Sequence, residues 1–136
     1  MIDIKLIREN PENIKENIKK RFQKEKLPLV DKILKLDEQW RKLKNQTDNL
    51  RHERNEISKR INEAKKKKQD VKPLIKKARE IPDKIKNQEE NIKKLEGEIK
   101  EILSKIPNII HKSVPIGKDE SKNKVIKKYG KIPKFK

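Results

Sequence analysis

Two stretches of this chain repeat mostly apolar residues at alternating steps of four and three, and that spacing constrains the fold more than any other feature. The first runs Leu29, Ile33, Leu36, Trp40, Leu43, Thr47, Leu50, Arg54, Ile57, Ile61 and Ala64. The second runs Leu74, Ala78, Ile81, Ile85, Gln88, Ile92, Leu95, Ile99, Ile102 and Ile106. Each is the seam of a coiled coil, about five heptads long, with no slip of phase. A seam of this kind is buried against another like it. Residues 65–73, KKKKQDVKP, are too polar to be buried, and they supply Asp70 as a cap and Pro73 for the first turn of a new helix. The expected fold is therefore all-α, a long antiparallel two-helix hairpin. At 1.5 Å per residue its first helix, counted from Leu29 to Ala64, makes an arm of roughly 54 Å. Trp40 lies on the seam and belongs to the core. Thr47 and Arg54 interrupt the stripe, and Arg54 can lift its head to solvent along its own stem. Pro82 removes a helical hydrogen bond and predicts a bend, while Gly97, off the seam, weakens its helix by only about 1 kcal/mol.

The flanks follow other rules. Residues 1–28 read as a short helical base: an element from about Ile4, a break at Asn10-Pro11 where Asn10 caps and Pro11 starts the next helix, and an apolar ridge at Ile14 and Ile18. Leu27-Pro28 is expected to end this base, because the residue before a proline is pushed out of helical geometry. The arm proper takes residues 29–106, with its turn at about 65–73. Ile106-Pro107 closes the second helix, and residues 107–136 form an extended exit segment. VPIGKDE in that segment carries turn signals, and VIKKYGKIPKF, with Tyr129 and Phe135, suggests a short strand or strap.

Only 30% of the 136 residues are hydrophobic and 3% aromatic, too few for a large globular core but enough for a thin one. A net charge of +18 makes a polyanion the natural partner. No apolar run approaches the roughly eighteen residues of a membrane span, and MIDIKLIREN lacks the basic-then-apolar layout of a signal peptide. A soluble, cytoplasmic protein without a membrane partner is expected. With no cysteine and two histidines, His52 and His111, neither a disulfide framework nor a zinc site is expected. Nor does the chain contain a glycine-rich phosphate loop or a nucleophile beside a base, so no catalytic residue, metal ligand or cofactor is assigned. Asp119 and Glu120 read as turn chemistry. His52 faces solvent, and His111 makes a local contact.

Charge is unevenly spread. From Lys59 to Arg79 there are ten basic residues and two acidic ones, a net of +8, and the other 115 residues share the remaining +10. The positive end of the hairpin is its tip. Phosphate is the ligand this suits, and binding would weaken with salt as condensed counterions are released. No aromatic residue lies near the tip, which disfavours base stacking and favours a reader of backbone and shape. The candidate RNA-binding residues are Arg51, Lys59, Arg60, Lys65, Lys66, Lys67, Lys68, Lys72, Lys76 and Lys77. Charge alone leaves two other readings open: a structural coiled coil whose lysines merely solvate it, and a general basic nucleic-acid-binding hairpin.

Three blocks carry a more specific signal: MIDIKLIRENPENIKENIKKR, LVDKILKLDEQWRKLKNQTDNLRHERNEISKRI, and IPNIIHKSVPIGKDESKNKVIKKYGKIPKF. Together, in this order around the two seams, they resemble the N-terminal region of seryl-tRNA synthetases over essentially the whole chain. The resemblance implies a helical hairpin that projects from a class II catalytic domain and grips the long variable arm of serine tRNA and part of its elbow. Residues 106–120 would then be the hinge into that catalytic domain, which this sequence lacks. It further implies that the parent enzyme uses ATP and magnesium and is a homodimer joined through its catalytic domains, while this part alone is monomeric and not itself an enzyme. Pro82 inside the second seam, and Tyr129 where the family commonly has a tryptophan, depart from its pattern.

Overall fold

The computed structural model describes residues 1–127, 129, 130 and 133. In chain order the elements are α1 (Ile4–Glu9), α2 (Pro11–Lys20), a 3-10 turn (Lys24–Lys26), α3 (Leu27–Lys66), α4 (Lys72–Lys105) and a second 3-10 turn (Glu120–Lys122). There is no strand among the described residues. Val125 and Ile126 stand exposed without pairing, and part of the expected strap, Phe135 included, lies outside the described residues.

The arm is the hairpin of α3 and α4. Their 40 and 34 residues correspond to about 60 and 51 Å of helix. Every seam position is buried or half-buried except Arg54, which is exposed. Helical geometry continues through Pro82 from Lys72 to Lys105, so the proline does not divide the element. It still lacks an N–H, which leaves the carbonyl of Ala78 without its usual partner.

The base is built from its caps inward. Asp3 accepts a hydrogen bond from the N–H of Lys5 to start α1, and Asn10 accepts from Asn13 N at 3.1 Å to start α2, with Pro11 in its first turn. Ile7, Ile14 and Ile18 are fully buried against Val30 and Ile33 of α3, and Ile99, Ile102, Leu103 and Ile106 of α4 complete the cluster. At about 1.5–3 kcal/mol for each large aliphatic side chain, this cluster is the main attachment of α1 and α2 to the arm.

The expectation for Leu27-Pro28 is corrected here. α2 already ends at Lys20, where Phe22 takes a left-handed backbone (φ 57°) and Gln23 N–H reaches back to Ile18 O. Leu27-Pro28 begins α3 instead of ending the base. A proline in the first turn gives up an N–H that has no helical partner anyway, and the residue before it need only enter the helix, not continue one.

A buried carboxylate joins base to arm. Asp37 is 1% exposed and receives both Nε and a terminal nitrogen of Arg8 from α1, while Arg41 approaches it one turn further along α3 at 3.1 Å. The Asp37 hydrogen bond raises the pKa of Arg8 above its ordinary value, against a smaller opposing effect of burial. The paired fork makes this a charge-assisted contact, one that fixes direction as well as distance.

Candidate nucleic-acid interface

The tip is a tight reversal. Helix α3 ends at Lys66, Lys67 caps it, and Lys68 takes the left-handed backbone (φ 54°) that lets Gln69 N–H bond to Ala64 O at 2.9 Å and Lys68 N–H to Lys65 O at 3.2 Å. The side chain of Asp70 then accepts from Lys72 N at 3.0 Å, and Pro73 sits in the first turn of α4. Pro73 meets the sequence expectation for the start of the second helix, whereas Asp70 stands one residue before the N-cap, Val71, and bonds the first helical N–H from there. Buried Ala64 lets the two helices close near the turn, and Ile57, Ile81 and Ile85 form a separate distal core below it.

On this support, Arg60, Lys65, Lys66, Lys67, Lys68, Lys72, Lys76 and Lys77 are all exposed, and none is in an ion pair among the described residues. Lys59 is exposed and pairs with Glu56 at 3.1 Å, which holds the Glu56 carboxyl below its ordinary 4.5. The first turn of α4 contains no acidic residue. Acidic side chains there would favour the helix dipole and lysines oppose it by a few tenths of a kcal/mol each. Lys72 there is therefore not placed for helix stability, whereas Lys65 and Lys66, in the last turn of α3, do suit that helix's dipole.

Arg51 lies elsewhere. It is about 20 Å down α3 from Ala64, thirteen residues at 1.5 Å each. One guanidinium nitrogen meets Asp48 at 3.0 Å and another meets Glu89 of α4, so its fork is occupied by the arm itself. Glu89 is its principal partner and, with Asp48, raises the Arg51 pKa. The structure thus brings nine of the ten candidate cations to the tip and sets Arg51 apart as a strut between helices.

Midway along the arm a polar layer separates the two cores. Thr47 is buried, and its hydroxyl lies 2.9 Å from Leu43 O and 2.9 Å from Gln88 Oε1 across the hairpin. Nearer the base, Trp40 is half-buried on the seam, donates from Nε1 to Glu96 at 3.0 Å, and carries Lys44 over its ring at 5.4 Å.

The exit segment is ordered by local bonds. His111 Nδ1 lies 2.7 Å from Ser113 Oγ and accepts from Ser113 N, and Asp119 accepts from Ser121 N at 2.9 Å. Hydrogen bonding to Ser121, from its side chain first and its backbone N–H second, holds the Asp119 carboxyl below its ordinary 3.8, as turn chemistry requires. A Cβ on Gly117 would lie 2.3 Å from Lys122 Cβ and Cγ, so only glycine lets the second 3-10 turn fold back here. Sequence reasoning missed Arg8, Asp37 and Asn17. Asn17 left a trace, since it falls three residues after Ile14 on the ridge that Ile18 continues; the Arg8–Asp37 pair spans 29 residues and left none.

Residues 1–110 match the family model described as the seryl-tRNA synthetase N-terminal domain. The chain belongs to that family. Over 99% of its length it is 43% identical to a serine–tRNA ligase of Hydrogenobaculum, and a 41-residue stretch is 61% identical to the serine–tRNA ligase of Pyrococcus abyssi. Among solved structures, seryl-tRNA synthetase from Pyrococcus horikoshii complexed with ATP superposes with a TM-score of 0.83 at 47% identity, over 89% of this chain and 27% of that one. The cytoplasmic serine–tRNA ligase of Naegleria fowleri in complex with AMP gives 0.71 at 33% identity, over 96% of this chain and 28% of that one. The chain spans 32% of the length of the Hydrogenobaculum ligase, and the Pyrococcus abyssi match covers 30% of this chain and 9% of that ligase. The antiparallel hairpin is thus the N-terminal arm of the seryl-tRNA synthetase fold. No helix among the described residues is long and apolar enough to cross a membrane, and no group of three or more potential metal ligands occurs among them.

Proposed function

We propose that this domain is the tRNA-binding arm of a cytoplasmic seryl-tRNA synthetase and that it recognises the long variable arm of serine tRNA by backbone and shape contacts. The single observation that carries the reading is the basic tip, unpaired among the described residues except at Lys59, on a family-typical hairpin. Lys59, Arg60, Lys65, Lys66, Lys67, Lys68, Lys72, Lys76 and Lys77 supply phosphate contacts, and Arg51 stiffens the arm behind them. Serine tRNAs differ in anticodon, so a rigid arm matched to a shape feature selects them without reading bases. The domain contributes substrate selection and no chemistry of its own. Serine activation with ATP and magnesium belongs to the class II catalytic body of the parent enzyme, through which two copies pair, while the domain alone is monomeric. Exposed Val114, Ile116, Val125, Ile126 and Tyr129 in the exit segment suit contact with such a neighbouring body.

Binding to serine tRNA and to the same tRNA with a shortened variable arm, measured across a salt series, tests this. A preference of roughly tenfold or more for the intact arm, about 1.4 kcal/mol, is expected to persist as salt rises. Equal binding that collapses with salt would make the tip a general polycation and remove the specificity assigned to it.

A further inference from the structure

The chain leaves α4 at Ile106 in an extended conformation, and within four residues it is gripped by α2. The grip is Asn17. Its side-chain Nδ2 donates to Asn108 O at 2.8 Å, and its Oδ1 accepts from Ile110 N–H at 2.7 Å. One carboxamide thus satisfies the two peptide groups flanking Ile109, as the backbone of an adjoining parallel strand would. Asn17 is 5% exposed, set among Ile14, Ile18 and the rest of the base core. A polar side chain so buried survives there only because its bonds are made.

A second contact lies further along. Lys118 Nζ stands 5.7 Å from the centre of the Phe22 ring, just past the end of α2. The exit path is therefore fastened to the base at two places, both on or beside α2. Neither contact adds to the seam of the arm or to the basic tip.

We propose that Asn17 is a positioning residue whose clamp on residues 108–110 fixes the direction in which the chain leaves the arm, and hence the angle between the arm and the catalytic body that follows it. The second half of that statement rests on the proposed function. If the arm reads a feature of tRNA at one end while chemistry occurs in the body at the other, a small angular error at the root becomes a displacement of several ångströms at the tip. Misplacement of that order lowers turnover with bound tRNA without touching the chemistry itself.

Two measurements separate the parts. In this 136-residue chain, Asn17→Ala is expected to lower the exchange protection of the Ile110 amide roughly tenfold, the loss of one hydrogen bond, with the α3 and α4 amides unchanged. Unchanged Ile110 protection in Asn17→Ala would overturn the clamp. In the full-length synthetase, Asn17→Ala is expected to leave serine-dependent ATP–pyrophosphate exchange as it was and to lower kcat/KM for tRNA charging by roughly ten- to a hundredfold. Charging within twofold of the parent, with the Ile110 amide no longer protected, would overturn the positioning role. If the unmutated chain failed to bind serine tRNA, the proposed function would fall while the exchange result still decided the clamp.

Discussion

Lys68 and Phe22 end their helices by the same device, a left-handed residue that turns the chain back so that the next N–H reaches the last turn. Glycine is the usual occupant, because a Cβ in that conformation costs about 1–2 kcal/mol. Lys68→Gly is accordingly expected to raise stability by about 0.5–1 kcal/mol, after subtracting the extra freedom that glycine gains in the unfolded chain. A shift of the urea midpoint at constant slope would register it, and a fall in the midpoint would contradict the backbone argument. Phe22→Gly should gain less, since the ring also carries Lys118 in a contact worth about 0.5–1 kcal/mol. That a lysine stays at position 68 despite this strain fits a tip in which its charge is used. These two residues show how local geometry escapes a reading by composition: neither is glycine, asparagine or aspartate, so nothing in the sequence signalled the positive φ.

At the scale of the helix, the seams were fully legible. Their period of three and four is a direct consequence of helical geometry, and burial followed it at every position but Arg54, whose long stem lets the charge stay in water. The start of α3 was less legible, because proline both ends and begins helices and its sequence neighbours do not say which. Pro82 lies on the exposed side of α4 and still removes one backbone bond. Pro82→Ala should therefore raise the stability of the distal hairpin by up to about 3 kcal/mol, seen as slower amide exchange around Ala78, Ile81 and Ile85. No change in exchange there would mean that the Ala78 carbonyl is already satisfied. The Thr47–Gln88 layer argues in the other direction, for a place where the arm gives up stability. Its hydroxyl has one proton for two acceptors, so a polar pair interrupts what apolar residues would fill better. Thr47→Val alone should cost about 1 kcal/mol by stranding Gln88, whereas Thr47→Val with Gln88→Leu should match or exceed the parent. Thermal unfolding of these two variants and of Gln88→Leu alone gives the coupling directly. A double variant weaker than the single would show that the layer is a net stabiliser and not a device that fixes register.

Taken as a whole molecule, the arm separates two jobs along its length. The base buries its isoleucines, clamps the exit segment through Asn17, and ties α1 down through Arg8 and Asp37. The tip, up to about 60 Å away along α3, keeps all its candidate cations but Lys59 out of ion pairs among the described residues. The candidate cations were found from charge density, which locates a cluster well but cannot tell a free guanidinium from a paired one. Arg51 is the example: its partner Glu89 is 38 residues away in sequence, and only the antiparallel fold brings the two together. The distinction has a measurable consequence. Replacing Lys66, Lys67 and Lys68 with alanine should flatten the dependence of log K on log salt by about two to three, at roughly 0.7–0.9 for each phosphate that is no longer neutralised. Arg51→Ala should leave that slope unchanged, because its charge already faces Asp48 and Glu89, and should instead loosen the arm. If both substitutions flattened the slope equally, Arg51 would have to leave its partners for phosphate on binding, and the RNA footprint would extend some 20 Å below the tip.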